Sequence, residues 1–91
     1  METKNNTRNF EEIIARVIEK GAEKVEIHRS TAYCGCVNPG DIIAVMVWKN
    51  NIKFRVALCR VFDEIPQIIV YRYTPDGSND WEIKRFDYKK N

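Results

Sequence analysis

The stretch Ile43-Ala44-Val45-Met46-Val47-Trp48-Lys49-Asn50-Asn51-Ile52-Lys53-Phe54-Arg55-Val56-Ala57-Leu58 decides how this chain folds. Its two halves mirror each other across Asn50 and Asn51. Asn enters the left-handed backbone region at small cost, and a two-residue type I′ turn needs that conformation at both central positions. A hairpin closing Lys49 against Ile52 then fixes the register. Val47 faces Phe54, Val45 faces Val56 and Ile43 faces Leu58 on one side, while Trp48 faces Lys53, Met46 faces Arg55 and Ala44 faces Ala57 on the other. The first side is apolar throughout and reads as core. The second carries an aromatic ring, a thioether and two cations, a composition suited to a flat anionic ligand. The alternative is a second, partly covered core face along which Lys53 and Arg55 snorkel.

Working outward toward the N-terminus, Asn9 followed three residues later by Glu12 forms a helix start of the capping-box type. Phe10, Ile13, Ile14, Val17 and Ile18 recur at the spacing of one helical face, and Glu11, Glu12, Arg16 and Glu19 take the outer face. Gly21 ends the helix, with Lys20 placed to complement the negative end of its dipole. A helix with one apolar stripe needs a sheet to bury it. Lys24 to Arg29 alternates as a half-exposed strand at a sheet edge, and Ser30 to Asp41 is a loop finishing in a Pro39-Gly40 type II turn.

Beyond the hairpin, Val61 falls out of step with Leu58, which predicts a bulge at Cys59 or Arg60. Phe62 to Pro66 connects to a strand over Gln67 to Thr74. Ile68 and Val70 oppose Ile69, Tyr71 and Tyr73 across that strand, and two apolar faces imply a central position. Pro75 to Asp80 reverses the chain, and Trp81 to Tyr88 returns as a last strand with a bulge near Lys84, where the parity changes again. The expected fold is α+β: an N-terminal helix packed on a curled antiparallel sheet, or half-open barrel, of about five strands. Residues 1–8 read as disordered, 9–88 as one domain and 89–91 as a basic tail.

The chain has 91 residues, 15 basic against 13 acidic, for a net charge of +2. That length supports one modest core, and that balance excludes avid, unspecific polyanion binding of the histone kind. The basic excess lies in the second half, partly in Lys84, Arg85, Lys89 and Lys90. No apolar run is long enough to cross a bilayer and the polar start carries no secretory pattern, so the expectation is a cytoplasmic protein without a membrane partner. Three cysteines make no disulfide framework, and Cys34 and Cys36 are too close in sequence for a relaxed bridge, so reduced thiols are expected.

Four constellations carry chemistry. His28, Cys34, Cys36 and Cys59 have the atoms of a Cys₃His zinc site, but Cys-Gly-Cys is a poor chelating geometry, and no metal or other cofactor is expected. A thiol nucleophile at Cys34 or Cys36 with His28 as base lacks a residue to orient the imidazole. Asp41, Asp63, Glu64, Asp76 and Asp80 all stand at turns, where carboxylates bond nearby amides, and none is isolated in apolar surroundings that would suit it to acid–base work. The aromatic and basic set is stronger: Trp48, Lys53, Arg55, Tyr71, Tyr73 and Arg72, with Trp81 nearby, lie on strands that ought to be neighbours. Stacking and cation–π contact hold bases or nucleotides without a dedicated motif. The same rings would also serve a dimer interface.

The run Lys24 to Arg29, then Val37-Asn38-Pro39-Gly40-Asp41-Ile42-Ile43, then Arg55 to Val61, resembles the ASCH and PUA-like RNA-binding domains over residues 10–61. The resemblance implies an RNA-binding domain. It departs from the family in the spacing of Glu26 and Arg29 and in lacking a matching Thr beside Lys24 and Glu26, so the family's catalysis is not implied. Lys20-Gly21 and Asp80-Trp81-Glu82-Ile83 are similar to small phage domains that oligomerise and sequester nucleotide signals. The expected function is a non-enzymatic binding module for RNA, single-stranded nucleic acid or a nucleotide, with Trp48, Lys53, Arg55, Tyr71 and Arg72 at the ligand. The alternative is a homo-oligomeric inhibitor or sequestering factor of viral type.

Overall fold

Asn50 and Asn51 adopt φ values of 53° and 64°, the paired left-handed conformation of a type I′ turn. In this computed structural model, which describes residues 7–33, 37–59 and 66–89, the chain runs β1 (Thr7–Arg8), α1 (Phe10–Glu19), β2 (Lys24–Arg29), β3 (Ile42–Lys49), β4 (Ile52–Cys59), β5 (Gln67–Tyr73) and β6 (Asp80–Tyr88). The strands form one sheet in the order β1-β6-β5-β4-β3-β2. Every pairing is antiparallel except β1 with β6. The fold is therefore α+β, one helix on a curled, mixed, six-stranded half-barrel.

The hairpin pairs Val45 with Val56, Val47 with Phe54 and Trp48 with Lys53, as its turn dictates. The expected Ile43–Leu58 pair does not form. Between His28 and Arg29 the partner on β3 jumps from Ala44 to Ile42, so Ile43 is the extra residue of a bulge and Ile42 takes the core position in its place. Leu58 pairs instead with Ile68 across β5. A second shift lies between Val70, opposite Lys84, and Tyr71, opposite Glu82, which leaves Ile83 unpaired beside the expected bulge position. The bulge expected at Cys59 or Arg60 reaches the edge of the described residues: Cys59 still pairs in register with Gln67, and Arg60 lies outside them.

Helix α1 starts with a complete capping box. The Asn9 side chain accepts from the Glu12 N–H at 2.9 Å, and the Asn9 N–H donates to Glu12 Oε1 at 3.0 Å. It ends in a Schellman arrangement, with the Gly21 N–H donating to Ile18 O, the Ala22 N–H to Val17 O, and Gly21 at φ +94°. Phe10 and Ile13 insert fully into a core with Ile42, Val45, Val47, Val56 and Ile68, while Ile14 and Val17 pack at its margin. Ile18, expected on the same stripe, is 57% exposed, whereas Val17 beside it packs against the core.

Two corrections concern the chain's ends and edges. Thr7 and Arg8, expected within a disordered segment, pair in parallel with Asp87 and Tyr88, and the Lys89 N–H returns to Arg8 O. The strand they add makes six rather than five and renders the sheet mixed. The edge position of β2 and the central position of β5 match expectation, Ile68 and Ile69 being buried on opposite faces. Among the described residues no helix is long and apolar enough to cross a membrane.

Candidate ligand face opposite the helix

Because β2 to β6 pair side by side, with register shifts only at the Ile43 and Ile83 bulges, side chains on the face away from α1 stand in rows across the sheet. The first row reads Lys24, Trp48, Lys53, Tyr73, Asp80, and the second Glu26, Met46, Arg55, Tyr71, Glu82. A third row, His28, Ala44, Ala57, Ile69, Arg85, is small and apolar in the middle. Adjacent strands are ~4.8 Å apart, so direct neighbours within a row touch.

The first row is a chain of cation–π contacts. Lys24 Nζ lies 4.7 Å from the Trp48 ring centroid, Lys53 Nζ 5.7 Å from the same ring, and Lys53 Nζ also 4.8 Å from the Tyr73 ring. In the second row the Arg55 guanidinium stacks 4.4 Å from the centre of Tyr71. Neither Lys24 nor Lys53 has an ion-pair partner among the described residues. Arg55 is incompletely satisfied: its Nη2 reaches Asp80 only at 3.5 Å, and its buried Nε meets no acceptor among the described residues.

Toward β6 the face turns acidic and self-satisfied. Arg85 clamps Glu82 through Nε at 2.9 Å and Nη2 at 2.8 Å, and its Nη1 donates to Gln67 at 2.6 Å. The hydrogen bonds from Arg85 hold the Glu82 carboxyl below its usual value. The available positive charge is thus concentrated where β2, β3 and β4 carry Lys24, Trp48 and Lys53. Ile69 is buried to 3% exposure between Ala57 and Arg85 yet stands outside the helix-side core, so this end of the face is a small second core. The two readings of the face divide it between them. One end is packed, and the other presents rings and cations.

The structure brings Trp48, Lys53, Arg55 and Tyr71 together and leaves Arg72 apart. Arg72 pairs with Phe54 and Trp81, so it points to the helix side, where its guanidinium lies 5.8 Å from the Trp81 ring. Strand parity separates it from Tyr71, and the sequence already carries that signal. Lys24 is the residue that sequence reasoning left out, although the same register counting extended to β2 places it in the row; Tyr73, named with the aromatic and basic set but not among the ligand residues, stands in the same row.

His28 Nε2 sits 3.1 Å from Glu26 Oε1 on the exposed edge strand, and Cys59 is a half-buried free thiol at the end of β4. Cys34 and Cys36 lie outside the described residues, and so do Asp63 and Glu64. Among the described residues no three His, Cys, Asp or Glu side chains cluster as metal ligands. Asp41 and Asp76 cap turns, accepting from the Asn38 N–H and the Ser78 N–H respectively. No protein-family model, curated protein or solved structure matches the chain, so the geometry of this face carries the functional reading.

Proposed function

We propose that the chain is a small non-enzymatic binding module that holds single-stranded nucleic acid or a nucleotide on the face of Trp48, Lys53, Arg55 and Tyr71, with Lys24 and Tyr73 completing it. The observation that carries the reading is the unbroken row Lys24, Trp48, Lys53, Tyr73, in which two cations without ion-pair partners alternate with two rings across four neighbouring strands. Bases stack on such rings, and phosphates meet the ammonium groups between them. The resemblance of residues 10–61 to ASCH and PUA-like RNA-binding domains points to the same class of ligand. Arg72, on the opposite face, takes no part.

Three probes test this: a single-stranded RNA oligomer, an RNA duplex and a panel of cyclic nucleotides, each titrated while Trp48 fluorescence is read in a Trp81→Phe background. Quenching by at least one probe, weakened about tenfold or more by Lys53→Glu, is the expected result. No saturable response from any of them removes the reading.

A second reading, an oligomeric sequestering factor, draws on the exposed edge. Ile27 on β2 is 42% exposed beside the unpaired edge of the sheet, a site where a second copy could add a strand. Sedimentation of the parent and of Ile27→Lys separates the two, since only an oligomer joined at this edge dissociates on that change.

A further inference from the structure

The helix covers less than half of the face it packs on. Six strands span ~24 Å across the sheet, whereas a helix of 10 residues covers a strip only ~15 Å long and, with its side chains, ~10 Å wide. Helix α1 crosses the sheet obliquely: it leaves β1 at the β6 side, where the Phe10 ring lies 6.0 Å from Tyr88, and packs on β3, with Ile13 in the same core. Beside it runs an open trough of about 970 Å³, walled by α1 on one side and β6 on the other. Its floor is apolar: Phe54, Val56, Val70 and Phe86, continuous with the core under the helix. A layer of helices over a sheet this wide is completed by a second helix lying alongside the first.

The rim states what kind of helix. Arg16 and Lys20, one turn apart at the C-terminal end of α1, line one wall, Lys49 stands at the end of β3, and Lys84 lines the β6 wall. Arg8 closes one end, stacked 5.5 Å from the Phe86 ring, and Lys84 lies 5.4 Å from the same ring. Against these five cations the lining holds two carboxylates, and one of them, Glu12, is bound into the capping box. The bulge in β6 adds to the wall, because the extra residue Ile83, 48% exposed, lines the trough next to Lys84. A bulge re-aims side chains at the edge of a sheet, and here it sets an apolar anchor beside a cation.

We propose that this trough receives an amphipathic helix of a partner protein, apolar along one stripe and acidic at both flanks. Such a helix of about three turns presents anchors at i, i+3, i+4 and i+7 to the floor, and its carboxylates meet the rim. Nucleic acid matches the charge but not the floor. The trough is on the opposite side of the sheet from the Trp48 row, so this proposal stands or falls independently of the ligand reading.

Two fluorescein-labelled helical peptides with the same leucine stripe, one flanked by glutamates and one by lysines, test it on the full chain by anisotropy and amide NMR shifts. The glutamate peptide is expected to bind saturably and about tenfold or more tighter than the lysine peptide, with shifts confined to Val47, Phe54, Val70, Ile83 and Phe86. The double variant Lys20→Glu with Lys84→Glu, both on exposed positions, should reverse that preference, and single-stranded RNA should not compete. Equal affinity for the two peptides, shifts on the Trp48 face, competition by RNA, or no saturation up to about 1 mM peptide would each overturn it. So would a stable dimer in sedimentation whose contact buries Phe54 and Phe86, since the occupant would then be a second copy.

Discussion

Trp48 is the residue on which the functional reading turns, flanked as it is by Lys24 at 4.7 Å and Lys53 at 5.7 Å. If a base stacks on it, Trp48→Ala should weaken binding by about 1–3 kcal/mol with the fold unchanged, as checked by titration and circular dichroism together. Arg72→Glu is its control. Standing on the other face, it should leave the same affinity within error, and an equal loss would refute the division of faces. Asp76 offers a separate check on a loop. Its carboxyl accepts from the Thr74 hydroxyl and from the Ser78 N–H and hydroxyl, and these bonds lower its pKa from 3.8 to about 2. A pKa lower in the folded than in the unfolded chain means a contribution that is complete above 3.8 and lost as pH falls through about 2. An NMR titration of the carboxyl should therefore show its midpoint near 2, shifted back toward 3.8 in Thr74→Val. A midpoint already at 3.8 in the parent would mean the turn is not closed as described.

At the scale of elements, α1 is held by a cap and by two side chains. Asn9→Ala removes the acceptor of the Glu12 N–H and should destabilise by ~1 kcal/mol. Ile13→Ala leaves a cavity against the sheet and should cost ~2–4 kcal/mol, whereas Glu11→Ala, on the exposed face, should fall within ~0.5 kcal/mol of the parent. Urea unfolding of the three variants measures this order, and equal effects would mean a helix not docked on the sheet. The hairpin shows how far local sequence reaches. Its turn, its register and its two faces follow from Asn50, Asn51 and a period of two. The bulge at Ile43 does not, because nothing in Asp41-Ile42-Ile43-Ala44 distinguishes which isoleucine will face the core. That choice is made by β2, whose partner residues shift between His28 and Arg29.

Across the whole molecule the two sides of the sheet are chemically opposite. Val45, with no exposed surface, sits in the core between sheet and helix, and Val45→Asp should abolish folding outright, read as loss of the cooperative thermal transition. Among the described residues the ligand face, by contrast, offers Lys24, Lys53 and Arg55 to phosphates, while its acids on β6 are bound to Arg85 and near Arg55. Neutralising two or three phosphates of a single strand gives a slope of log affinity on log salt of about −1.4 to −2. A much steeper slope would place the contact elsewhere than on this face.

What the sequence by itself determined is local and periodic: the capping box at Asn9 and Glu12, the Gly21 stop, the type I′ turn, the alternation that separates Trp48, Lys53, Arg55 and Tyr71 from Val45 and Val56, and the α+β class. Each depends on residues within a turn or two of one another, so propensity and parity suffice. What only the tertiary structure decided depends on neighbours distant in the chain. Thr7 and Arg8 become a strand because Asp87 and Tyr88 offer an open edge in parallel, a partner that no local pattern announces. Lys24 and Tyr73 join Trp48 because the order β5-β4-β3-β2 lays their strands side by side. The uncovered half of the helix-side face follows from the width of six strands against one helix, a quantity that exists only once the sheet is assembled.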